Sequence, residues 1–383
     1  MKILFDSQIF DAQKYGGVSR YFCELFKYFD NLRDIEYTLP ACDTRNEYLL
    51  KTPTFMGKVF LRKSLFPRIN FKIQRILSRV YDIINPGSNI NITIKVLKGQ
   101  NFDIFHPTYY QTYFLKYLKN KPMVLTVYDM IHELYSKEFS LHNKTIELKK
   151  KLIEKADKII AISENTKKDI MRFYNIPDDK IKVIYLGNSL EPVQSKPADA
   201  PEIPEKYILY IGSRVNYKNF TKFIESISPI LNKDREIKVI IAGGYSGKNN
   251  FSNTEKELFK KLNITNQIFQ YSVTDEGLAY LYQNAICFVF PSLYEGFGIP
   301  VLEAFACGCP AIISNTSSLP EVGGDAVIYF DPTNSDSILS AVQNVVNNEP
   351  LKKEMITKGY EQLKKFSWDK TVRETLEVYR GLL

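Results

Sequence analysis

The sequence has no long apolar run and few cysteines. No stretch of 18 apolar residues occurs among the 383 residues, so we expect no helix that spans a membrane. The five cysteines are odd in number and include no Cys-x-x-Cys pair, which argues against a disulfide framework and against a structural zinc site. These absences predict a protein of the reducing cytoplasm.

Motifs for metal and nucleic-acid binding are absent as well. The chain contains no Asp-x-Asp pair, the motif through which many enzymes bind a diphosphate with Mg²⁺ or Mn²⁺, so we expect no metal and no other cofactor. The net charge of +8 is modest, and there is no zinc-finger spacing, RNP-like strand or basic helix with interleaved aromatics. We therefore expect no nucleic acid as a partner, which leaves diphosphate and anionic lipid.

Length and pattern predict an α/β protein of two domains. A chain of 383 residues is too long for one ordinary core. Apolar strands alternate with longer helical patterns in the first half, which is typical of parallel βαβ units. Residues 191–206 carry four prolines and few aliphatic side chains, as a linker does. The predicted parts are a first domain at 1–190, this linker, a second domain at 207–365 and a terminal helix at 366–383.

Residues 288–310 form the most informative stretch. An apolar strand at 288–290 ends at Pro291, and a turn through residues 294–298 leads into a helix at Ile299. Two glycines in the turn let a ligand approach the backbone, and the helix N-terminus favours an anion such as phosphate. Glu295 and Glu303 bracket this place, and each carboxylate can accept two neighbouring hydroxyl groups. The stretch therefore predicts a site for a sugar nucleotide.

Several segments carry a family resemblance. They are Phe290-Pro291-Ser292, Glu295-Gly296-Phe297-Gly298, Pro300, Glu303-Ala304, Gly308-Cys309-Pro310 and Leu319-Pro320-Glu321-Val322. Together they resemble the E-x7-E signature of family 4 glycosyltransferases, which are retaining enzymes of GT-B fold. The resemblance implies two Rossmann-like parallel-sheet domains that face a central cleft, and a C-terminal helix that crosses back to the first domain.

The same resemblance implies an activity. It is transfer of a hexosyl group, with retention and without a metal, from a nucleoside-diphosphate sugar to a hydroxyl of a saccharide or lipid-linked acceptor. Residues 294–298 and Gly323-Gly324-Asp325-Ala326 resemble bacterial mannosyl- and rhamnosyltransferases of surface polysaccharide or lipopolysaccharide assembly, which favours GDP-mannose. The alternatives are a UDP-sugar-dependent transferase of the same fold and a non-catalytic sugar-nucleotide-binding protein.

The resemblance also assigns donor-binding residues. Glu295 would face the donor sugar, and Glu303 would hold the ribose hydroxyls. Arg214 and Lys218 resemble the family's diphosphate-binding pair and would stabilise the leaving group, and a cation near a helix N-terminus is slightly unfavourable unless an anion is present. The remaining implied positions are the glycine loop at Gly16 and Gly17, the backbone of Val273 against the base, and Gly296, Phe297, Gly298 and Ile299 in the turn.

The residues at the strand ends of the first domain leave alternatives open. The family often has His-Asp where this chain has Tyr128-Asp129, and that histidine touches the donor sugar. Tyr128, Asp129 or His132 could take the role. Asp129 and His132 are predicted as catalytic residues, together with Glu295, Arg214 and Lys218. His106, like Tyr128, lies at a strand end and is predicted on the acceptor side. For each histidine considered alone, a structural, hydrogen-bonded role is favoured.

A basic segment predicts membrane contact. Between Leu49 and Phe102 there are ten basic residues and one acid, and apolar side chains alternate with the bases, as in an interfacial segment. The alternative is ordinary helices with a solvated charged face. We predict a cytoplasmic protein that binds peripherally to the anionic inner face of a membrane.

Overall fold

The chain forms two compact units in the computed structural model. The structure describes residues 1–41, 44–52, 88–136, 144–198, 200–243 and 251–383. The first unit contains Met1–Ile162, Thr166–Ile184 and Trp368–Leu383, and the second contains Ser163–Asn165 and Tyr185–Ser367. The second unit thus includes the segment at 191–206. Most of the basic segment predicted to contact a membrane, residues 53–87, lies outside the described residues.

Parallel strands form the centre of the first unit. One sheet has the order β2-β1-β3 and another has the order β4-β5-β6, and a single parallel bridge joins Phe105 to Met123. The strands are β1 (Lys2–Phe5), β2 (Glu36–Thr38), β3 (Ile104–His106), β4 (Val124–Val127), β5 (Lys158–Ala161) and β6 (Ile181–Val183). All pairings within the two sheets are parallel, as the alternation of strands and helices predicts.

Helices connect these strands. They are α1 (Gln8–Ala12), α2 (Gly17–Phe29), α3 (Glu47–Lys51), α4 (Ser88–Gly99), α5 (Ile131–Leu134), α6 (Lys144–Lys155) and α7 (Glu164–Tyr174). Helix α2 follows β1 because apolar side chains recur on one of its faces at helical spacing. Phe22 and Phe26 from this face are buried, and their rings lie 5.7 and 5.1 Å from the ring of Phe5 on β1. This packing fixes the start of α2 next to the carboxyl end of β1.

The second unit has one six-stranded parallel sheet with the order β12-β11-β10-β7-β8-β9. Its strands are β7 (Tyr207–Ile211), β8 (Lys238–Ala242), β9 (Ile268–Tyr271), β10 (Cys287–Phe290), β11 (Ala311–Ser314) and β12 (Ile328–Phe330). Its helices are α8 (Phe220–Lys233), α9 (Asn253–Lys261), α10 (Asp275–Asn284), α11 (Ile299–Ala306), α12 (Leu319–Gly323), α13 (Ser335–Val346) and α14 (Glu349–Leu363). The strand order reverses between β7 and β10.

The terminal helix α15 (Trp368–Arg380) packs on the first unit. The Trp368 ring lies 6.2 Å from Tyr21 on α2, and the Tyr379 hydroxyl lies 2.6 Å from Nδ1 of His106 on β3. Arg380 also pairs with Asp34 at 3.0 Å. The predicted return of the last helix to the first domain is confirmed. Among the helices in the described ranges, none has the length and apolar character needed to cross a membrane.

Candidate functional site

The topology of the second unit brings two predicted regions together. After β7 the chain builds β8 and β9 on one side and then returns to place β10 on the other side of β7. Ligands of open parallel sheets bind outside the carboxyl ends of the strands at such a reversal. Arg214 and Lys218 follow β7, and Glu295 follows β10. The predicted phosphate residues and the predicted sugar carboxylate therefore share this point of the sheet.

Lys218 and Glu295 are in direct contact. The Lys218 ammonium lies 2.6 Å from Glu295 Oε1, and the Ser292 hydroxyl donates to the same oxygen at 2.6 Å. The Glu295 backbone is also held, because its N–H donates to Ser317 Oγ at 2.9 Å and its carbonyl accepts from Ser318 Oγ at 2.9 Å. Glu295 is 9% exposed, so the ion pair lies at the edge of the core with little solvent around it.

Arg214 is paired with a residue that the sequence analysis missed. Its Nε lies 2.5 Å from Glu255 Oε1, and both side chains are 14% exposed. The second oxygen of Glu255 accepts the N–H of Ser252 at 2.7 Å, which closes a capping box at the start of α9. The guanidinium also lies 5.2 Å from the ring centroid of Phe251. Each predicted phosphate-binding cation thus pairs with a carboxylate of the described residues, Arg214 with Glu255 and Lys218 with Glu295.

The glycine turn and α11 follow β10 as predicted. Gly298 is the N-cap of α11 and has a φ of 119°, in the left-handed region that side chains disfavour. A Cβ at this position would lie 2.8 Å from Leu319 Cδ2, so a side chain here would be strained in its backbone and would also displace Leu319. Gly296 and Phe297 are buried in the turn, and Ile299 begins the helix with Pro300 in its first turn. The turn therefore presents the N-terminus of α11 beside Glu295.

Glu303 is anchored by a tyrosine from α10. Its carboxylate is buried and lies 3.2 Å from the Tyr282 hydroxyl, which also donates to the Pro300 carbonyl at 2.9 Å. Burial and then the charge of Glu303 raise the pKa of Tyr282 well above its usual range, so the hydroxyl remains a donor. Sequence reasoning did not identify Tyr282, because a tyrosine inside an apolar helix pattern indicates core packing.

Val273 lies between β9 and α10. The next residue, Thr274, caps α10 by accepting the Gly277 N–H at 3.2 Å. A Cβ on Gly277 would come within 2.9 Å of the Val273 side chain, so the segment is held closely against the helix. The backbone at Val273 is therefore fixed next to the sheet edge, and its contact with a base stays a prediction.

The glycine loop of the first unit begins α2. The Gly16 carbonyl accepts the Arg20 N–H and the Ser19 hydroxyl, both at 3.0 Å, and Gly17 is the first helical residue. A Cβ on Gly16 would meet the Gln13 carboxamide at 2.2 Å, and this carboxamide accepts the Ser19 N–H at 3.3 Å. The loop thus caps the helix with a side chain from the preceding segment.

Tyr128, Asp129 and His132 follow β4 in the first unit. The Tyr128 hydroxyl is buried and has no hydrogen-bond partner within the ranges that the structure describes. Asp129 Oδ1 accepts the Ile131 N–H at 3.1 Å, and the Asp129 side chain is 29% exposed. Burial, with a smaller contribution from the charge of Lys149, lowers the pKa of His132, so its imidazole is neutral at pH 7. Tyr128 and Asp129 thus lie between β4 and α5, and His132 lies on α5.

His106 requires a correction. It is fully buried, and its two ring nitrogens lie 2.6 Å from the Tyr379 hydroxyl and 2.9 Å from Thr126 Oγ1. Burial lowers its pKa to about 3. Neither nitrogen is left for an acceptor, so His106 is a structural histidine that links β3 to α15, and the acceptor-side prediction for it is wrong.

Comparisons with known proteins identify the family. The model described as Glycosyltransferase Family 4 matches residues 15–191, and the model described as Glycosyl transferases group 1 matches residues 195–362. The chain therefore belongs to the family 4, or group 1, glycosyltransferases. The O-antigen chain mannosyltransferase B of Escherichia coli is 32% identical over 232 residues, which are 58% of this chain and 60% of that protein. This chain thus spans about 60% of the length of that relative.

Solved structures show the same fold. Sucrose-phosphate synthase from Thermosynechococcus elongatus has a TM-score of 0.74 at 17% identity, with coverage of 100% of this chain and 99% of that chain. Anabaena Alr3699/HepE, solved in complex with UDP-glucose, has a TM-score of 0.69 at 15% identity and full coverage of both chains. The fold is GT-B with Rossmann-like parallel-sheet domains, as predicted.

Proposed function

We propose that this protein is a retaining glycosyltransferase that transfers a hexosyl group from a nucleoside-diphosphate sugar to a saccharide hydroxyl. The observation that carries the proposal is the contact of Lys218 with Glu295 at the strand-order reversal of the second unit. A cation can bind the diphosphate, and a neighbouring carboxylate can accept hydroxyl groups of the donor sugar. Family membership supports the same reaction class.

The second unit would bind the donor. The N-terminus of α11 and the side chains of Arg214 and Lys218 supply positive charge where the leaving diphosphate develops negative charge. Glu303 would hold the ribose hydroxyls, and the Val273 backbone would face the base. An incoming phosphate competes with Glu295 for the Lys218 ammonium. Binding of the donor would therefore release the Glu295 carboxylate toward the sugar.

The donor we propose first is GDP-mannose. The similarity to an O-antigen mannosyltransferase supports a mannosyl donor, and the complex of HepE with UDP-glucose supports a UDP-sugar as the alternative. The test is a panel of sugar nucleotides, assayed for release of nucleoside diphosphate with candidate saccharide acceptors. Turnover of one donor and retention of the anomeric configuration in the product would support the proposal. Donor binding without turnover would instead indicate a non-catalytic sugar-nucleotide-binding protein.

The first unit would bind the acceptor. Tyr128, Asp129 and His132 follow the carboxyl end of the buried strand β4, and hydroxyl, carboxylate and imidazole groups all bond saccharide hydroxyls. We propose a saccharide or lipid-linked saccharide of cell-surface polysaccharide or lipopolysaccharide synthesis as the acceptor. We also propose that transfer needs no metal and that the basic segment binds an anionic membrane surface on the cytoplasmic side.

A further inference from the structure

A fully buried lysine lies beneath the turn that carries Asp129. Lys149 on α6 has a side chain with 0% exposure. Its ammonium donates to Glu133 Oε2 at 2.9 Å and to the Asp129 carbonyl at 3.0 Å, and it lies 3.9 Å from Asp129 Oδ1. The Tyr110 ring centroid is 5.2 Å away. A buried charge is costly unless it is paired, so these contacts account for its presence in the core.

Glu133 is used entirely by this network. Its side chain is 3% exposed, one oxygen contacts Lys149, and the other accepts the Tyr174 hydroxyl at 2.7 Å. Burial and then the bond to Glu133 raise the pKa of Tyr174, so the hydroxyl stays protonated and donates. Glu133 therefore has no oxygen directed to a ligand. Buried ion pairs in general add little net stability compared with apolar side chains of the same size, so a role in fixing geometry is the better explanation for this pair.

The contacts of Lys149 orient Asp129 and its carboxylate. Lys149 holds the Asp129 carbonyl, and Oδ1 is held by the Ile131 N–H at 3.1 Å and faces the ammonium. Oδ2 accepts no hydrogen bond from any part of the chain that the structure describes, and the side chain is 29% exposed. One carboxylate oxygen is thus fixed inward and the other is left for a ligand.

We propose that Lys149 is a positioning residue that aims Asp129 Oδ2 at a hydroxyl of the saccharide acceptor. The inference rests on the proposed function, and it adds the element that orients the acceptor side. It predicts that loss of the ammonium changes acceptor use while leaving donor binding intact. A residue of merely structural importance would change stability without this selectivity.

The test uses four variants and two readouts. Lys149→Met removes the ammonium. Glu133→Gln removes the buried counter-ion but keeps the contact between the ammonium and Asp129. The double variant Lys149→Met with Glu133→Gln removes the ammonium without leaving an unpaired buried carboxylate. The matched control is Lys150→Met on the same helix, whose side chain is 56% exposed. For each variant, the melting temperature is measured. The values of kcat and KM are measured for the sugar nucleotide and the saccharide acceptor that give turnover in the panel assay.

We expect the double variant to fold with an unchanged donor KM and to lose about 100-fold in acceptor kcat/KM, the size of effect that a misplacement of about 1 Å produces. We expect Glu133→Gln to lower the melting temperature more than acceptor kcat/KM, and Lys150→Met to behave as the native protein. Native acceptor kinetics in a folded double variant would overturn this inference and leave the proposed function intact. Equal losses of acceptor kcat/KM in Glu133→Gln and Lys149→Met would do the same.

Absence of donor turnover in the native protein and in Lys150→Met would overturn the proposed function, and this inference with it. If the double variant does not fold, the comparison of Glu133→Gln with Lys149→Met decides the outcome, because only the second removes the contact with Asp129.

Discussion

The buried His106 should make the stability of the first unit depend on pH. Burial lowers its pKa in the folded protein to about 3, whereas an unfolded histidine titrates near about 6.5. Between these values the unfolded chain binds a proton that the folded chain does not bind. Protonation of His106 therefore does not reduce the free energy of unfolding above about pH 6.5. The loss through His106 grows as the pH drops toward about 3, and it is constant below that pH.

The size of the effect follows from the two pKa values. One pKa unit corresponds to about 1.4 kcal/mol, so at pH 4.5 the native protein should have lost roughly 3 kcal/mol through His106. The assay is urea denaturation at pH 7 and pH 4.5, followed by the fluorescence of Trp368. This residue is the one tryptophan of the chain, and it is buried on α15 near Tyr21.

His106→Gln is the comparison, because glutamine keeps hydrogen-bonding groups and does not titrate. Other groups also respond to acid. Burial raises the pKa of Asp6 and lowers that of His132, so these two residues act with opposite signs. Asp6 and His132 are present in the native protein and in the variant. The difference between the two proteins in the stability lost from pH 7 to pH 4.5 therefore isolates the contribution of His106. Equal losses of stability in the two proteins would refute the reasoning.

Three further predictions concern activity and membrane binding. Glu303→Ala should mainly raise the donor KM and Glu295→Ala should mainly lower kcat, and indistinguishable kinetic profiles would contradict the assignment. Activity should persist in EDTA because cations and backbone amides carry the diphosphate, so a complete loss that Mn²⁺ restores would disprove metal independence. The native protein should sediment with anionic vesicles at low salt and less at high salt, with about 1 kcal/mol from each base near the surface. Recovery with the vesicles should fall in a variant in which Arg62, Lys63, Arg68 and Lys72 are changed to serine. Equal recovery of the native protein from neutral and anionic vesicles would contradict membrane binding.

Local sequence was sufficient for much of the fold. Each buried strand of the second unit is a short apolar run ended by glycine, proline or a polar cluster, and these signals depend only on neighbouring residues. The strand order does not follow from them, because β7 and β10 pair across about 80 residues of chain. The proximity of Lys218 and Glu295 could be expected from the family resemblance, and their direct ion pair required the structure.

His106 shows why long-range contacts defeat this kind of reasoning. A histidine at the end of a parallel strand is well placed for a ligand, and the sequence around it gives no sign of another partner. Its partner, Tyr379, is 273 residues further along the chain. The helix that carries Tyr379 returns to the first unit, and this return converts a candidate ligand-binding residue into a buried structural one.

Lys149 is the opposite case, because the local sequence alone indicates that this lysine is buried. It begins the run Lys149-Lys150-Lys151, which indicates a solvated helix face when it is considered as a charge cluster. Helical phase separates the three residues, because Lys149 lies three positions after Ile146 and four before Ile153, on the apolar stripe of α6. Lys149 is buried there, and its two neighbours in the run are exposed. A charged residue at an apolar position of an amphipathic helix needs a buried counter-ion, and here Glu133 from α5 supplies it. The mismatch between residue type and helical position therefore indicates a structural or functional role that charge counting alone does not detect.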